Sequence, residues 1–175
     1  MLILHSERLY IRDYTENDSQ FHHSWISNSN VMEYMDWKTS SIKESKKELS
    51  RAIKESKSKN RKDFFLAIGL IKEDILIGNV GFSLLGNNNQ EAEIGWMLLP
   101  QFHNLGYATE AAKLLVEYAL NTLQLNNIIA TCAKENYQSE KIMIKLGMSK
   151  IKEFDKFYIQ KNKNLLKVLY SLEKN

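Results

Sequence analysis

The spacing of apolar residues changes several times along the chain, and each change marks an element. Two short apolar runs, residues 2–4 and 9–11, predict extended segments on either side of the polar stretch His5-Ser6-Glu7-Arg8. A helix is predicted after Thr15, where Thr15-x-x-Asp18 approximates a capping box and Phe21, Trp25 and Ile26 fall on one helical face. Residues 31–37 are aromatic and lack a clean period. Ser41-x-x-Glu44 is a full capping box that opens a second helix toward Lys57, with Leu49 and Ile53 on its buried side.

The period then shortens. Residues 64–71 are almost continuously apolar and predict a buried strand, followed by a turn at Lys72-Glu73-Asp74. Residues 75–85 and 91–99 predict two more strands around the turn signal Gly86-Asn87-Asn88-Asn89. These three strands form an antiparallel meander. Helix and strand alternate afterwards. A helix runs from Gly106 to Leu123, with Ala111, Leu114, Leu115, Tyr118 and Ala119 on its apolar side. A strand at 127–133 follows, then a helix at 137–146 closed by Gly147 at its C′ position, and strands at 149–159 and 165–172. The pattern predicts one mixed-sheet α/β domain over residues 1–175, with neither linker nor repeat.

Composition removes several function classes. With 43% hydrophobic residues, 7 glycines and 1 proline, the chain is neither disordered nor low in complexity. Its net charge of +3 mildly favours phosphate-bearing ligands. Residues 43–62 hold nine Lys or Arg against three Glu. Pairs such as Glu48–Arg51 and Arg51–Glu55 make that segment a solvated helix face. No interleaved aromatics accompany the charges, so no nucleic-acid partner is expected. The single cysteine, Cys132, excludes an internal disulfide and lies in an apolar run, as a small buried residue would. No apolar stretch is long enough to span a bilayer and the N-terminus has no secretory pattern, so a cytoplasmic protein without membrane contact is expected.

The stretch His103-Asn104-Leu105-Gly106-Tyr107-Ala108-Thr109-Glu110-Ala111 places a glycine directly before an amphipathic helix. The first amides of a helix lack intrahelical acceptors and carry the positive end of its dipole. Gly106 permits close approach of an anion, Asn104 tolerates a positive φ, and Ala108 and Thr109 add little bulk, so a diphosphate fits. A plain helix start with glycine for packing explains the same residues equally well. Neither G-x-x-x-x-G-K-[ST] nor G-x-G-x-x-G occurs, which removes the usual support for ATP hydrolysis and dinucleotide redox chemistry.

Four segments together resemble the GNAT acetyltransferase superfamily, in its branch of ribosomal-protein N-terminal acetyltransferases. They are SERLYIRDYTEND, AEIGWMLLP, HNLGYATEAAKLL and NYQSEKIMIKLGM, and they span nearly the whole chain. The resemblance implies a central, mostly antiparallel sheet flanked by helices and splayed at an acetyl-CoA site. It implies that Gly106, Tyr107, Ala108 and Thr109 bind the CoA pyrophosphate and that Leu105 belongs to the cofactor site, with Asn104 where many relatives have glycine and His103 either donating to a phosphate or packing. Met97, Leu98 and Leu99 match the strand whose backbone pairs with the pantetheine arm and supplies an oxyanion-hole amide. Asn136 and Ser139 match a second motif beside the thioester. Relatives with a tyrosine acid place it seven residues after that asparagine, where this chain has Met143, so Ser139 is the candidate to meet the leaving thiolate. Lys141 and Lys145 are candidates for CoA phosphates, or are simply solvated.

An acceptor amine must lose a proton before it attacks a thioester, and a carboxylate is a suitable base. Glu93 matches the family position for it, and strand alternation puts Glu91 on the same face. Trp25, Tyr34, Trp37 and Tyr158 are candidates to line the acceptor pocket, with Glu33 and Asp36 as partners for a cation. The core is an equally ordinary place for those aromatics. Neighbouring helical residues point about 100° apart, so His22 and His23 are not expected to share a metal ion. The resulting expectation is an acetyl-CoA-dependent N-acetyltransferase acting on a primary amine, as monomer or homodimer. A protein or peptide N-terminus leads; polyamines, aminoglycosides and small amine metabolites remain open. A catalytically weak acyl-CoA-binding or interaction module is the alternative.

Overall fold

The computed structural model describes all residues except 36–39, 87, 89 and 175. Eight strands form one sheet: β1 (Ile3–His5), β2 (Leu9–Asp13), β3 (Asp63–Leu70), β4 (Ile75–Leu85), β5 (Glu91–Leu98), β6 (Asn127–Ala133), β7 (Ser149–Tyr158) and β8 (Lys163–Glu173). Their order across the sheet is β1-β2-β3-β4-β5-β6-β8-β7. Every neighbouring pair is antiparallel except β5 and β6. A parallel pair needs a crossover, supplied here by α3 (Tyr107–Glu117), which continues as a π-helical turn over Tyr118–Thr122. The helix expected to run to Leu123 therefore changes its pitch before it ends.

Helices cover both faces. On one side α3 and α4 (Tyr137–Lys145) bury Ala111, Ala112, Leu115 and Met143 against Leu9, Ile11, Leu66, Ile68, Val80, Ile128 and Val168. On the other, α2 (Ile42–Ser56) sets Leu49 against Tyr14 and Ala67. That two-sided cover explains why β3 and β4 are almost continuously apolar rather than alternating. Ser41 caps α2 as a full capping box: its hydroxyl accepts the Glu44 amide, and Glu44 accepts the Ser41 amide at 2.8 Å. The Thr15–Asp18 box opens a short 3₁₀ turn that leads into α1 (Ser19–Ile26). Within α1, His22 is buried, contacts Ser45 Oγ at 3.0 Å, and is held by burial to a pKa of about 4, as suits a neutral core residue. Gly147 ends α4 at φ +80°, the left-handed C′ position.

One irregularity in the sheet positions the site. Strands β5 and β6 pair only from Glu91↔Asn127 to Glu93↔Ile129. Beyond that point β5 continues along β4 as far as Gly78↔Leu98, while β6 continues along β8. The sheet opens there into a split bounded by residues 94–98 and 130–133.

Candidate active site

The backbone register decides which groups face this split. The Leu99 amide donates to the Ile77 carbonyl at 3.0 Å, so Leu99 and, by antiparallel alternation, Met97 and Gly95 point their backbone groups toward β4. The backbone groups of Trp96 and the amide of Leu98 point into the split, whereas the last bridge to Ile129 engages the Ile94 amide. The expectation that Met97, Leu98 and Leu99 all offer backbone groups is therefore corrected: Leu98 does, whereas Met97 and Leu99 are committed to the sheet. Met97 still lines both cavities with its side chain, while Leu99 lines neither. Trp96 lines both and escaped the sequence reading. Its register parity is the signal that would have found it.

Two cavities meet at the split. The larger, about 840 Å³, lies beside the start of α3 and is lined by His103, Asn104, Gly106, Tyr107, Ala108 and Thr109, with Asn136, Ser139, Lys141 and Lys145 across from them. Gly106 holds φ +84° as the residue before α3 and supplies no side-chain cap, so among the described residues the opening amides of that helix have no side-chain capping acceptor. Asn104 is also left-handed, at φ 61°. Leu105 turns its side chain outward and lines neither cavity. Its carbonyl is held by Arg8 Nη1 at 3.1 Å, and Arg8 continues to Glu110 in α3 at 2.6 Å. Burial alone would raise the Glu110 carboxyl, but hydrogen bonds from Ser6 and Arg8 outweigh it and hold it below the ordinary carboxylate range. Arg8 thus clamps the turn to the helix behind it.

His103 has a narrower role than expected. Its Nε2 lies 2.9 Å from the Leu98 carbonyl, which can only accept, so that nitrogen carries its proton toward the strand. The ring ties the turn to the end of β5, and it would need a second proton on Nδ1 to donate to a phosphate. Asn136 caps α4 by accepting the Ser139 amide at 3.1 Å, and both residues line both cavities. Met143 is 1% exposed and has no proton to give, which closes the tyrosine-acid position.

The smaller cavity, about 360 Å³, lies at the other mouth of the split and is lined by Glu93, Thr131, Cys132, Tyr34, Tyr158, Lys156 and Lys167, among others. Tyr158 donates to the Tyr34 carbonyl at 3.2 Å, and Lys161 Nζ donates to the carbonyls of Met32 and Glu33 at 2.6 Å each. These bonds pin residues 32–34 to the β7–β8 hairpin. Burial first, and then the charge of Glu140, pushes the Cys132 thiol up to about 11, so it is a poor nucleophile at neutral pH.

Several acceptor-side expectations change. Trp25 is 5% exposed, packs with Ile26 and Met32 in the core, and lines neither cavity. It buries a large aromatic surface instead of meeting a ligand. Glu91 accepts from Asn127 Nδ2 at 2.9 Å at the closed end of the β5–β6 pair and lines neither cavity, which leaves Glu93 as the carboxylate at the split. Glu33 lines the larger cavity only. Trp37 and Asp36 lie outside the described residues. The sequence reading also missed Thr131 and Lys167. Lysine at 167 is the one charged residue within residues 165–172, and that anomaly is visible in the sequence.

A split parallel pair, a bare helix start at one mouth and a carboxylate at the other define an acyl-transfer fold. The comparisons agree: residues 8–149 match the model of the acetyltransferase (GNAT) domain, and the chain belongs to that family of N-acetyltransferases. It is 35% identical over 144 residues to the uncharacterised N-acetyltransferase YnaD of Bacillus subtilis, covering 82% of this chain and 80% of the relative. A GNAT-family acetyltransferase from Bacillus anthracis superposes with a TM-score of 0.86 at 29% identity, covering 98% of both chains. RimL, a ribosomal L7/L12 α-N-protein acetyltransferase solved with coenzyme A, shares the fold with a TM-score of 0.87 at 15% identity and 98% coverage of both. Of the two sequence readings, the enzyme stands. Among the described residues no helix is long and apolar enough to cross a membrane.

Proposed function

We propose that the protein moves the acetyl group of acetyl-CoA to a single primary amine, by direct attack on the thioester, with a peptide or protein N-terminus as the leading acceptor. The observation that carries this reading is the position of the split: the uncapped start of α3 lies in one cavity, Glu93 lies in the other, and Asn136 and Ser139 line both. The residues fit the donor. Gly106 leaves the amides of Tyr107, Ala108 and Thr109 open to a diphosphate, and Trp96 and the Leu98 amide turn toward the split. When bound, acetyl-CoA supplies an activated acyl group on a leaving thiolate.

The chain's own groups do the rest. Glu93 takes the proton of the incoming amine, directly or through water. A backbone N–H in the split donates to the carbonyl oxygen as charge develops there, an effect of about 3 kcal/mol at comparable acyl-transfer sites. Ser139 offers its hydroxyl to the leaving sulfur. Lys141 and Lys145 face the larger cavity, where phosphates would lie.

The acceptor reading has two supports. RimL acts on a ribosomal protein's α-amino group. In this chain Lys156 lines the cavity beside Glu93, and an ammonium there opposes a second positive charge on the acceptor. A lone α-amine suits that cavity better than a polyamine. A thermal-shift titration with acetyl-CoA, followed by a panel of peptides, polyamines, aminoglycosides and amino metabolites with product masses measured, tests both halves. Stabilisation and a 42-dalton gain on the peptide α-amine, roughly one acetyl group on the amine attacked, are expected. Acetylation confined to polyamines would overturn the acceptor assignment.

A further inference from the structure

A chain of three side chains crosses the split just beyond its last backbone pair. Glu93 and Ile129 are the final partners of β5 and β6, and Thr131 is the next β6 residue on that face. Its hydroxyl donates to Glu93 Oε1 at 2.8 Å. On the neighbouring strand Lys167 pairs with Ala133, one diagonal step away, and its Nζ donates to Thr131 Oγ1 at 2.7 Å. All three residues line the acceptor cavity. Lys167 is 9% exposed, an unusual depth for lysine, and its ammonium also lies 6.0 Å from the Tyr158 ring.

We propose that Lys167 is a positioning residue for acetyl transfer: acting through Thr131, it sets which oxygen of Glu93 is offered to the acceptor. The inference rests on Glu93 being the base, as read above. The direction of the chain follows from its donors and acceptors. An ammonium donates only, so the Thr131 oxygen must accept from it, and the single hydroxyl proton is left to point at Glu93. Oε1 is thereby occupied. Among the described residues, Oε2 takes no hydrogen bond, and Glu93 lines the cavity. Without the ammonium, the threonine proton is free to turn elsewhere, and the carboxylate swings about its own torsions. Because a proton transfer depends on geometry, a loosened base is slow even where the site still binds its ligands.

The test begins with Glu93→Gln, whose unchanged turnover would remove the base and the relay together. With turnover lost there, Thr131→Val and Lys167→Met are each expected to lower kcat about 10-fold while the KM for acetyl-CoA stays at the wild-type value. Thr131→Ser, which keeps the hydroxyl, is expected to recover most of that loss. The double variant is expected to be no slower than either single one, since both break the same chain. A folded Lys167→Met enzyme with wild-type kcat and only a raised acceptor KM would make Lys167 a packing residue and retire the relay, leaving Glu93 in place. Should Lys167→Met fail to fold, equal rates for Thr131→Val and Thr131→Ser would overturn the proposal alone.

Discussion

The two mouths of the split are built from different materials. The larger cavity offers a donor backbone groups: the bare start of α3 and the end of β5, beside a turn held in place by Arg8 and His103. The smaller is made of side chains from five separate segments: Tyr34, Glu93 on β5, Thr131 and Cys132 on β6, Tyr158 on β7 and Lys167 on β8. A backbone cradle recognises what every donor molecule shares and depends on conformation more than on side-chain identity. A side-chain cavity recognises what differs between acceptors. Substitutions on the first side should therefore alter donor affinity, and on the second side turnover and acceptor choice.

The sharpest way to break this contrast is Glu93→Gln. It is expected to lower turnover by about 10²-fold or more with donor affinity intact, read by steady-state kinetics beside calorimetric acetyl-CoA binding. A parallel loss of affinity would mean that the two mouths are not separate. Next in size is Gly106→Val. A β-branched residue at φ +84° costs about 1–2 kcal/mol, and its Cβ would sit 3.4 Å from Arg8 Nη2 and crowd the clamp, so acetyl-CoA should bind about 10-fold or more weakly. Gly106→Asn, which tolerates the left-handed region, should fall between valine and wild type. If asparagine and valine weakened binding equally, side-chain bulk rather than backbone conformation would be the cause.

Arg8→Met tests the clamp. Its pair with Glu110 is partly exposed and worth about 1 kcal/mol at most, so the acetyl-CoA KM should rise no more than about 5-fold, with kcat unchanged. The sign of its pH dependence is fixed. Glu110 is held below the ordinary carboxylate range, so the clamp's contribution is full at neutral pH and is lost as the pH falls through that lowered range. A thermal melt of Arg8→Met against wild type should converge in acid. The smallest effect belongs to Cys132. With its thiol pushed up to about 11, it should resist alkylation near neutral pH, and Cys132→Ala should leave turnover within about 2-fold. Mass spectrometry after a thiol reagent checks the first expectation. Rapid alkylation that abolished turnover would point to a covalent acyl-cysteine route in place of direct attack.

Most of the element boundaries were legible because they rest on local rules. Strand β4 begins and ends where its apolar run and the flanking turns place it, and β6 also keeps its expected bounds. The capping boxes at Thr15 and Ser41, the stop at Gly147 and the left-handed Asn104 are likewise settled within a few residues of chain. The conversion of α3 to a wider turn at Tyr118–Thr122 was not, because it answers to packing on the sheet. On the acceptor side the local signal was weaker. Trp25 and Tyr158 are both aromatic and both buried, yet one sits in the core behind α1 and the other lines the cavity. Nothing in their immediate neighbours distinguishes them.

The order of strands and helices, the bare glycine before α3, the carboxylate on β5 and the methionine in place of a tyrosine acid are all properties of short stretches, so the linear pattern of residues was enough to specify them. Other features required the sheet to form. The split after Glu93 exists because β6 parts from β5 while staying paired with β8, and pairing between strands 36 residues apart carries no local mark. The same register commits the Met97 amide to β4 and turns that of Trp96 toward the donor cavity. It also sets Lys167 against Thr131 and Thr131 against Glu93, three residues drawn from three strands. Hydrogen-bond direction and cavity membership depend on which strand lies alongside, and that is settled only when distant segments pack.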